Sequence, residues 1–318
     1  MMPYLTKNSV KLLMKCCLLM ASVTAQISHA DNGYVVNEVS EGIFFHEGVH
    51  EDATEANQGK IANVGFIIGN DCIAVIDTGG SYLEGKSLLA AIRKQSDLPI
   101  CYVINTHVHP DHILGNAAFK DPQTTFVGSA KLPAAMAARS SFYETRFKEI
   151  LGDAYGNAEF IAPTHLVSIG ETQNIDLGGR KLTLMAFPTA HTDNDLVVLD
   201  NNTKTMWTGD LLFVERIPAL DGSINGWLDA IEELKEMDIA TVIPGHGPVL
   251  HQDWKAALET EKNYFILIRQ QIRQIINDMG TINQATENVG VSEKDKWLLF
   301  DEYHKRNVTS AFTELEWE

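Results

Sequence analysis

Four potential metal ligands lie within six residues, directly after an apolar segment, and they constrain the fold more than any other feature of the chain. They belong to His107-Val108-His109-Pro110-Asp111-His112. The apolar run before them, residues 100–105, is predicted to be a strand buried on both faces. Neither a helix face nor a strand face brings four such side chains to one point, so we expect a turn after this strand. Imidazole and carboxylate are the ligands that zinc and similar ions prefer.

Three further candidate ligands each follow a predicted strand. His191 comes after residues 182–187, Asp210 after residues 203–207 and His246 after residues 241–243. Each lies in a short turn, where small residues let the backbone approach a site closely. A single loop aspartate or histidine usually has only a structural role. Seven such residues at strand ends predict a shared metal site, because burying so many titratable groups without a metal would carry a heavy desolvation penalty.

The order of the predicted elements indicates two β-rich blocks, each followed by helices. The first block has predicted strands over residues 35–45, 61–68, 72–77 and 100–105 and helices over residues 83–95 and 132–150. The second has strands over residues 182–187, 195–199, 203–207 and 241–243 and a helix over residues 224–237. An amphipathic helix over residues 254–279 and two shorter helices follow. This pattern predicts an α/β protein with two sheets packed face to face and helices outside.

The first thirty residues have the features of a secretory signal peptide. Lys7, Lys11 and Lys15 precede an apolar run over residues 16–25, and small residues then lead to Ala30. About ten apolar residues are too few to cross a hydrocarbon core of about 30 Å, which argues against a membrane anchor. We therefore predict export, to the periplasm or outside the cell, with cleavage after Ala30. An uncleaved amphipathic start is the alternative.

Removal of that segment would leave 22 basic residues against 42 acidic ones, a net charge of −20. A surface this acidic repels phosphate backbones, which argues against nucleic acid as a partner. The remaining cysteines, Cys72 and Cys101, lie on predicted strands that we expect to be neighbours. In an oxidising compartment they can form a disulfide if their Cα atoms lie within about 7 Å. Two buried free thiols are the equal alternative.

The order His-x-His-x-Asp-His, then His, Asp and His, resembles the motif signature of the metallo-β-lactamase superfamily over residues 35–250. The resemblance implies an αββα sandwich: a catalytic domain over residues 31–253, and a C-terminal helical extension over residues 254–318 packed on it. By the same resemblance Asp77 orients the site without ligating a metal. The implied ligands are His107, His109 and His191 for one metal, Asp111, His112 and His246 for the second, and Asp210 as the bridge.

An aspartate at position 210, where class B β-lactamases carry cysteine or serine, makes the centre resemble the glyoxalase II-type and broader hydrolase branches. Two Zn²⁺ ions are the predicted occupants. Because no thiolate selects against harder ions, the site also suits Fe or Mn²⁺. The predicted activity is hydrolysis of a small ester, thioester or lactam by a hydroxide held at the metals, with Asp111 orienting the water. The alternatives are a class B β-lactamase, a mononuclear iron oxygenase and a non-catalytic binding protein, the last disfavoured because all seven ligands are present.

A narrower resemblance, to the quinoprotein relay system zinc metallohydrolases, covers residues 105–119, 189–195 and 209–227. It implies an exported protein associated with a dehydrogenase that depends on pyrroloquinoline quinone.

Three further side chains are candidate substrate contacts: Arg216 for a carboxylate, Trp227 for a ring and Asn116 as a hydrogen-bond donor. A purely structural role is the alternative for each.

Overall fold

Two β-sheets, of seven and five strands, form the centre of residues 34–318, which a computed structural model describes; the predicted signal peptide lies outside these residues. The first sheet contains, in spatial order, β1 (Asn37–Ser40), β2 (Ile43–His46), β3 (Val64–Ile68), β4 (Ile73–Ile76), β5 (Ile100–Ile104), β6 (Thr125–Ser129) and β7 (His165–Val167). The second contains β8 (Thr172–Asp176), β9 (Lys181–Ala186), β10 (Leu196–Asp200), β11 (Thr205–Phe213) and β12 (Thr241–His246), in the spatial order β12-β11-β10-β9-β8.

Seven α-helices accompany the sheets in the described part of the chain. They are α1 (Tyr82–Gln95), α2 (Pro110–Ile113), α3 (Leu132–Leu151), α4 (Ile224–Lys235), α5 (Trp254–Asn277), α6 (Ile282–Asn288) and α7 (Phe300–Leu315). Short 3₁₀ segments lie at Asn116–Phe119, Gly152–Tyr155 and Val291–Lys296. None of the helices within residues 34–318 combines the length and apolar composition that a membrane span requires.

Three apolar layers show that helices cover both outer faces of the paired sheets. Between the sheets, Ile67 and Ala74 share one cluster with Leu184 and Val198. A second cluster joins the outer face of the first sheet to α1. The third and largest joins the outer face of the second sheet to α4, α5 and α7. Successive residues of a strand point to opposite faces of its sheet. The mostly apolar strands of each sheet therefore contribute side chains both to the layer between the sheets and to one outer layer. The predicted αββα sandwich with additional C-terminal helices is confirmed.

The structure corrects the predicted strands at three places. The strand predicted over residues 35–45 is a hairpin of β1 and β2, whose turn contains Gly42 at φ 69°, a backbone conformation that glycine adopts without strain. The prediction missed β6, β7 and β8; β7 and β8 are short strands that are largely polar or half exposed and lack a clear apolar alternation. Asp210 and His246 do not follow their strands but lie within β11 and β12, which run on past irregularities in their pairing.

Cys72 and Cys101 form a disulfide, with their Cα atoms 5.8 Å apart. Cys72 directly precedes β4 and Cys101 lies on β5. These strands are parallel neighbours, with Ile73 paired to Ile100. The alternative that sequence left open is thereby decided in favour of the disulfide. Restricting a loop of 29 residues in the unfolded chain stabilises the fold by about 2–4 kcal/mol.

Candidate metal centre

The seven candidate ligands meet beside the ends of β5 and β12, the middle of β11 and the loop between β9 and β10. His107 and His109 lie in the turn after β5, and Asp111 follows in α2, a helix of four residues that begins at Pro110. Proline suits the first turn of a helix because its fixed φ is helical and an N–H there would have no partner in the helix. The turn therefore changes direction abruptly after the buried strand, and this brings four ligands of one short segment to one place.

The ligands form two groups, each with its ligand atoms within 4.8 Å of one another. The first group is His107, His109, His191 and Asp210; the second group is Asp111, His112 and His246. Asp210 lies against both groups. Its Oδ2 is 3.4 Å from Nε2 of His191 and 3.4 Å from Nε2 of His246, while its Oδ1 is 3.1 Å from Nε2 of His112. The predicted division of ligands, with Asp210 between them, matches the arrangement of these side chains.

Backbone carbonyls determine which nitrogen faces the centre in two of the histidines. Nδ1 of His191 donates to the carbonyl oxygen of Ala219 at 2.6 Å, and Nδ1 of His246 donates to that of Ile61 at 2.7 Å. A carbonyl oxygen can only accept, so Nδ1 carries the proton in both rings. In the neutral rings, Nε2 of each therefore presents a lone pair to the other ligands.

Asp77 orients two further histidines. Its Oδ2 accepts from Nδ1 of His112 at 2.8 Å and from the hydroxyl of Thr106 at 2.7 Å. Because the Thr106 hydroxyl proton is used in that bond, Oγ1 of Thr106 accepts from Nδ1 of His107 at 3.0 Å. Nε2 thus faces the other ligands in both His107 and His112. Asp77 lies behind the ligands, in the position that the resemblance implies, and holds the outer nitrogen of His112 directly and that of His107 through Thr106.

His109 is held in the opposite orientation by a residue that the sequence did not single out as functional. Nε2 of His109 donates to Oδ2 of Asp221 at 2.9 Å, so Nδ1 faces the first group. Nδ1 of His109 lies 2.9 Å from Nε2 of His191. Asp221 lies in the segment 209–227 that carries the narrower resemblance, but its contact depends on the path of the chain between β11 and α4.

Burial and the neighbouring carboxylates shift the pKa values of the histidines in opposite directions. Burial lowers the pKa of His107 well below its usual value and that of His191 to about 4, so both rings are neutral near pH 7. Burial also opposes charge on His112, but Asp210, Asp111 and Asp77 outweigh it and raise the pKa of His112 well above the usual range. These three carboxylates therefore place negative charge beside the buried imidazole of His112.

Orphaned buried atoms test whether a metal fits. Nε2 of His107, Nε2 of His112 and Oδ1 of Asp210 are buried and make no hydrogen bond of acceptable geometry within residues 34–318. Buried polar atoms normally have hydrogen-bond partners. Where a partner is missing, the atom marks the place of an ion, a water or a functional site. Between the facing nitrogens of His109 and His191, a proton or a metal must lie. Imidazole nitrogens and carboxylate oxygens in groups of three and four suit a divalent ion such as Zn²⁺.

A cavity of about 720 Å³ opens beside the ligands. His109, Asp111, Asp210 and His246 are among its lining residues. On the other side, the wall is formed largely by α3 and α7. The α3 residues of the wall are Arg139, Phe142, Tyr143, Arg146, Phe147 and Ile150, and those of α7 are Tyr303 and Arg306. The α3 set recurs at spacings of three and four, which marks one face of a helix, whereas no local pattern connects α7 with the site.

Comparison with known proteins gives the family. The family model described as "Metallo-beta-lactamase superfamily" matches residues 58–246, more than half of the chain, and this range contains all seven candidate ligands. The chain belongs to the metallo-β-lactamase superfamily.

Relatives within the superfamily are distant. A linear primary-alkylsulfatase from Pseudomonas sp. (strain ATCC 19151) is 23% identical over 255 residues, 68% of this chain and 48% of its own length. A metallo-beta-lactamase type 2 from Bacillus sp. (strain 170) is 24% identical over 208 residues, 63% of this chain and 73% of its own. The structure of a stereoselective inverting sec-alkylsulfatase from Pseudomonas sp. matches with a TM-score of 0.71 at 15% identity, over 89% of this chain and 50% of that one. The chain spans about half the length of these alkylsulfatases.

The structure separates the three candidate substrate contacts. Arg216 lines the cavity of this superfamily member. Trp227 does not, because it is fully buried against Phe265 with ring centroids 4.6 Å apart. Asn116 is also fully buried, and its Oδ1 accepts from the Thr78 hydroxyl at 2.8 Å. Trp227 and Asn116 therefore have the structural role that was the alternative, and the substrate contacts predicted for them are wrong.

Replacement of Asp221 by alanine is expected to weaken metal binding about 10- to 100-fold, because a histidine ligand whose outer nitrogen loses its acceptor is less basic and less well oriented. Competition with a chromophoric zinc chelator measures the dissociation constants. Asp229→Ala is the matched control, since Asp229 is exposed on α4 and contacts none of the candidate ligands. Equal zinc affinity in both variants would show that Asp221 does not support His109.

Proposed function

We propose that the protein is a dinuclear zinc hydrolase that cleaves a small ester, thioester or lactam. The observation that carries the proposal is the position of Asp210, whose two carboxylate oxygens lie within 3.1–3.4 Å of histidine nitrogens from both ligand groups. A site for a single ion needs three or four protein ligands, whereas seven are present here. One residue shared between two such groups is the arrangement that two neighbouring cations require.

The chemistry follows from where the side chains lie. Divalent cations at these ligands supply Lewis acidity and lower the pKa of water towards neutrality, so no separate base is needed for that step. Asp111 is the ligand best placed to orient the attacking water. Its side chain is 15% exposed and lines the cavity, and its Oδ2 lies 3.4 Å from Nε2 of His246. A carboxylate there can accept a hydrogen bond from the water and hold its oxygen towards a substrate in the cavity.

Hydrolysis of a sulfate ester is the second candidate, and the cavity wall favours it. Arg216 is 3% exposed and forms no ion pair within the described residues. Its Nη2 donates to the phenol oxygen of Tyr303 at 2.9 Å, but its Nε has no partner. Nη1 faces Nδ1 of His246, which already donates to Ile61 and has no lone pair to offer. A buried guanidinium left without an anion suits a negatively charged substrate.

The apolar part of the wall extends this argument. Phe142 on α3 is 68% exposed, and Phe147 and Ile150 line the cavity beside it. An alkyl or aryl group attached to the anion would cover these side chains and gain the free energy of their burial. Two of the relatives described above are alkylsulfatases, and this supports a sulfate ester as a substrate to be tested.

Export and association with a quinone-dependent dehydrogenase also belong to the proposal. The disulfide between Cys72 and Cys101 supports export, because structural disulfides persist mainly in oxidising compartments. The association rests on the resemblance of residues 105–119, 189–195 and 209–227 alone. Co-purification of the tagged protein with such a dehydrogenase from its native periplasm would test it.

Metal analysis followed by a substrate panel tests the function. Mass spectrometry of the purified protein is expected to find two zinc ions per chain. Treatment with a chelator should abolish hydrolysis, and added Zn²⁺ should restore it. The panel contains a carboxylic ester, a thioester, a chromogenic cephalosporin and an alkyl sulfate. One iron per chain together with oxygen uptake would favour the oxygenase, and full activity in metal-free protein would overturn the proposal.

A further inference from the structure

The C-terminal helix α7 contacts the loop that orients two metal ligands. This loop, residues 218–223, is the second part of the segment that joins β11 to α4, and it contains the carbonyl oxygen of Ala219 and the carboxylate of Asp221. These two groups accept from the outer nitrogens of His191 and His109. Both histidines belong to the first group, so the loop determines the direction of two of its three imidazoles.

Asn307 of α7 holds the loop on both sides of Ala219. Its Nδ2 donates to the carbonyl oxygen of Pro218 at 2.6 Å, and its Oδ1 accepts from the backbone N–H of Leu220 at 2.9 Å. Asn307 is only 1% exposed, so water cannot substitute for these bonds. An asparagine amide offers one donor side and one acceptor side, and this clamp uses both.

Glu314, two helical turns further along α7, anchors the other end of the loop. Its carboxylate accepts from the hydroxyl of Ser223 at 2.8 Å and from the backbone N–H of Ile224 at 2.7 Å. A negative charge at the first N–H groups of α4 is favourable because these groups have no partner within the helix. Asn307 and Glu314 therefore flank Asp221, one on each side in the chain.

The origin of this clamp lies in the packing of α7. Val308, Ala311, Phe312 and Leu315 are buried in the same apolar cluster as β11 and α4. That packing fixes the helix along the second sheet, and the polar side chains Asn307 and Glu314 then meet the loop at defined positions. A backbone segment with no regular structure would otherwise be the most mobile part of the site.

We propose that Asn307 is a positioning residue for the metal centre, acting through the loop 218–223 on His191 and His109, so that the C-terminal extension completes the site. The inference rests on the proposed two-metal function. It assigns to Asn307 a role that its distance of 61 residues (307 − 246) from the last candidate ligand, His246, does not suggest. Removal of the clamp leaves the first group with misdirected imidazoles and the second group unaltered.

The test compares Asn307→Ala with Val308→Ala in the full chain. Val308 is the next residue of α7 and is fully buried, but its side chain has no polar contact with the loop. Asn307→Ala is expected to weaken zinc binding about 10-fold or more, measured by competition with a chelator. The cobalt-substituted protein is expected to show altered visible absorption bands, because these report the geometry around the ion. Val308→Ala should lower the melting temperature but retain the affinity and spectrum of the wild type.

Each outcome of this experiment decides something. Equal zinc affinity and equal cobalt spectra in Asn307→Ala and wild type would overturn the inference, as would an equal loss in Val308→Ala, which would indicate general destabilisation. If Asn307→Ala does not fold, Asn307→Ser replaces it, since a hydroxyl can still accept from Leu220 but cannot reach both sides of the loop. Wild-type protein that binds no divalent ion would instead remove the proposed function itself.

Discussion

Replacement of Asp210 by asparagine is expected to lower kcat/KM by about 1,000-fold or more. Asp210 presents one oxygen to His112 of the second group and the other to both His191 and His246, at 3.1–3.4 Å. An asparagine of the same shape keeps one neutral oxygen and turns an NH₂ group towards the other position. That group repels a cation. The variant should therefore lose one of the two metals, and with it part of the Lewis acidity that the reaction needs.

Three measurements make this prediction decisive. Metal content by mass spectrometry should fall from two ions per chain to one or fewer, and kcat/KM should fall with it. Far-ultraviolet circular dichroism should remain that of the wild type, because the side-chain volume is unchanged. Asp229→Asn, an exposed substitution of the same chemistry on α4, should change neither quantity. An Asp210→Asn variant that keeps both metals and near-normal activity would show that this carboxylate does not bridge the centre.

Replacement of Trp227 by alanine is expected to lower the free energy of unfolding by about 3–5 kcal/mol. Its indole is fully buried between Phe265 and the ring of His191, with centroid distances of 4.6 and 5.2 Å, and its Nε1 donates to the carbonyl oxygen of Leu211 at 3.3 Å. Truncation opens a cavity beneath a candidate ligand. Both the stability of the fold and the orientation of His191 should suffer.

Urea unfolding of the wild type, Trp227→Ala and Trp227→Phe provides the measurement. The phenylalanine variant keeps most of the buried ring and should lose less stability than the alanine variant. Its KM should stay close to that of the wild type, because Trp227 does not line the cavity. A stable Trp227→Ala variant with a strongly raised KM would restore the idea that this side chain stacks on the substrate.

The ligand set was predictable because its signal is local. Four ligands lie in one turn after an apolar strand, and the other three are close to the ends of further strands; the spacing alone then indicates convergence. The structure places all seven in two adjoining groups. The prediction failed in detail at Asp210 and His246, which lie inside β11 and β12. Glycines 209 and 245 read as turn signals in the sequence, but here they allow the backbone of two strands to pass close to the ligands.

The residues around the ligands were much less predictable. Asp221 and Asn307 gave no local signal of their contacts near the ligands, and Trp227 gave a misleading one. A tryptophan beside a metal motif suits either a stacking surface or a core, and only the helices packed over it decide between these roles. α5 packs on Trp227 through Phe265, and Trp227 does not line the cavity. Arg216, predicted as a substrate contact, lines the cavity, and its missing anionic partner appears only when every neighbour is placed.

The sequence by itself determined the superfamily, the layered fold and the identity of the candidate ligands, because apolar periodicity and short-range spacing encode them. Tertiary structure alone decided which nitrogen of each histidine faces inward, which walls enclose the cavity and how α7 supports the site. Many of these features depend on contacts between residues far apart in the chain, such as His109 with His191, 82 residues apart, and His246 with Ile61, 185 residues apart. Contacts of that kind follow from how the layers pack, and packing is a property of the whole chain.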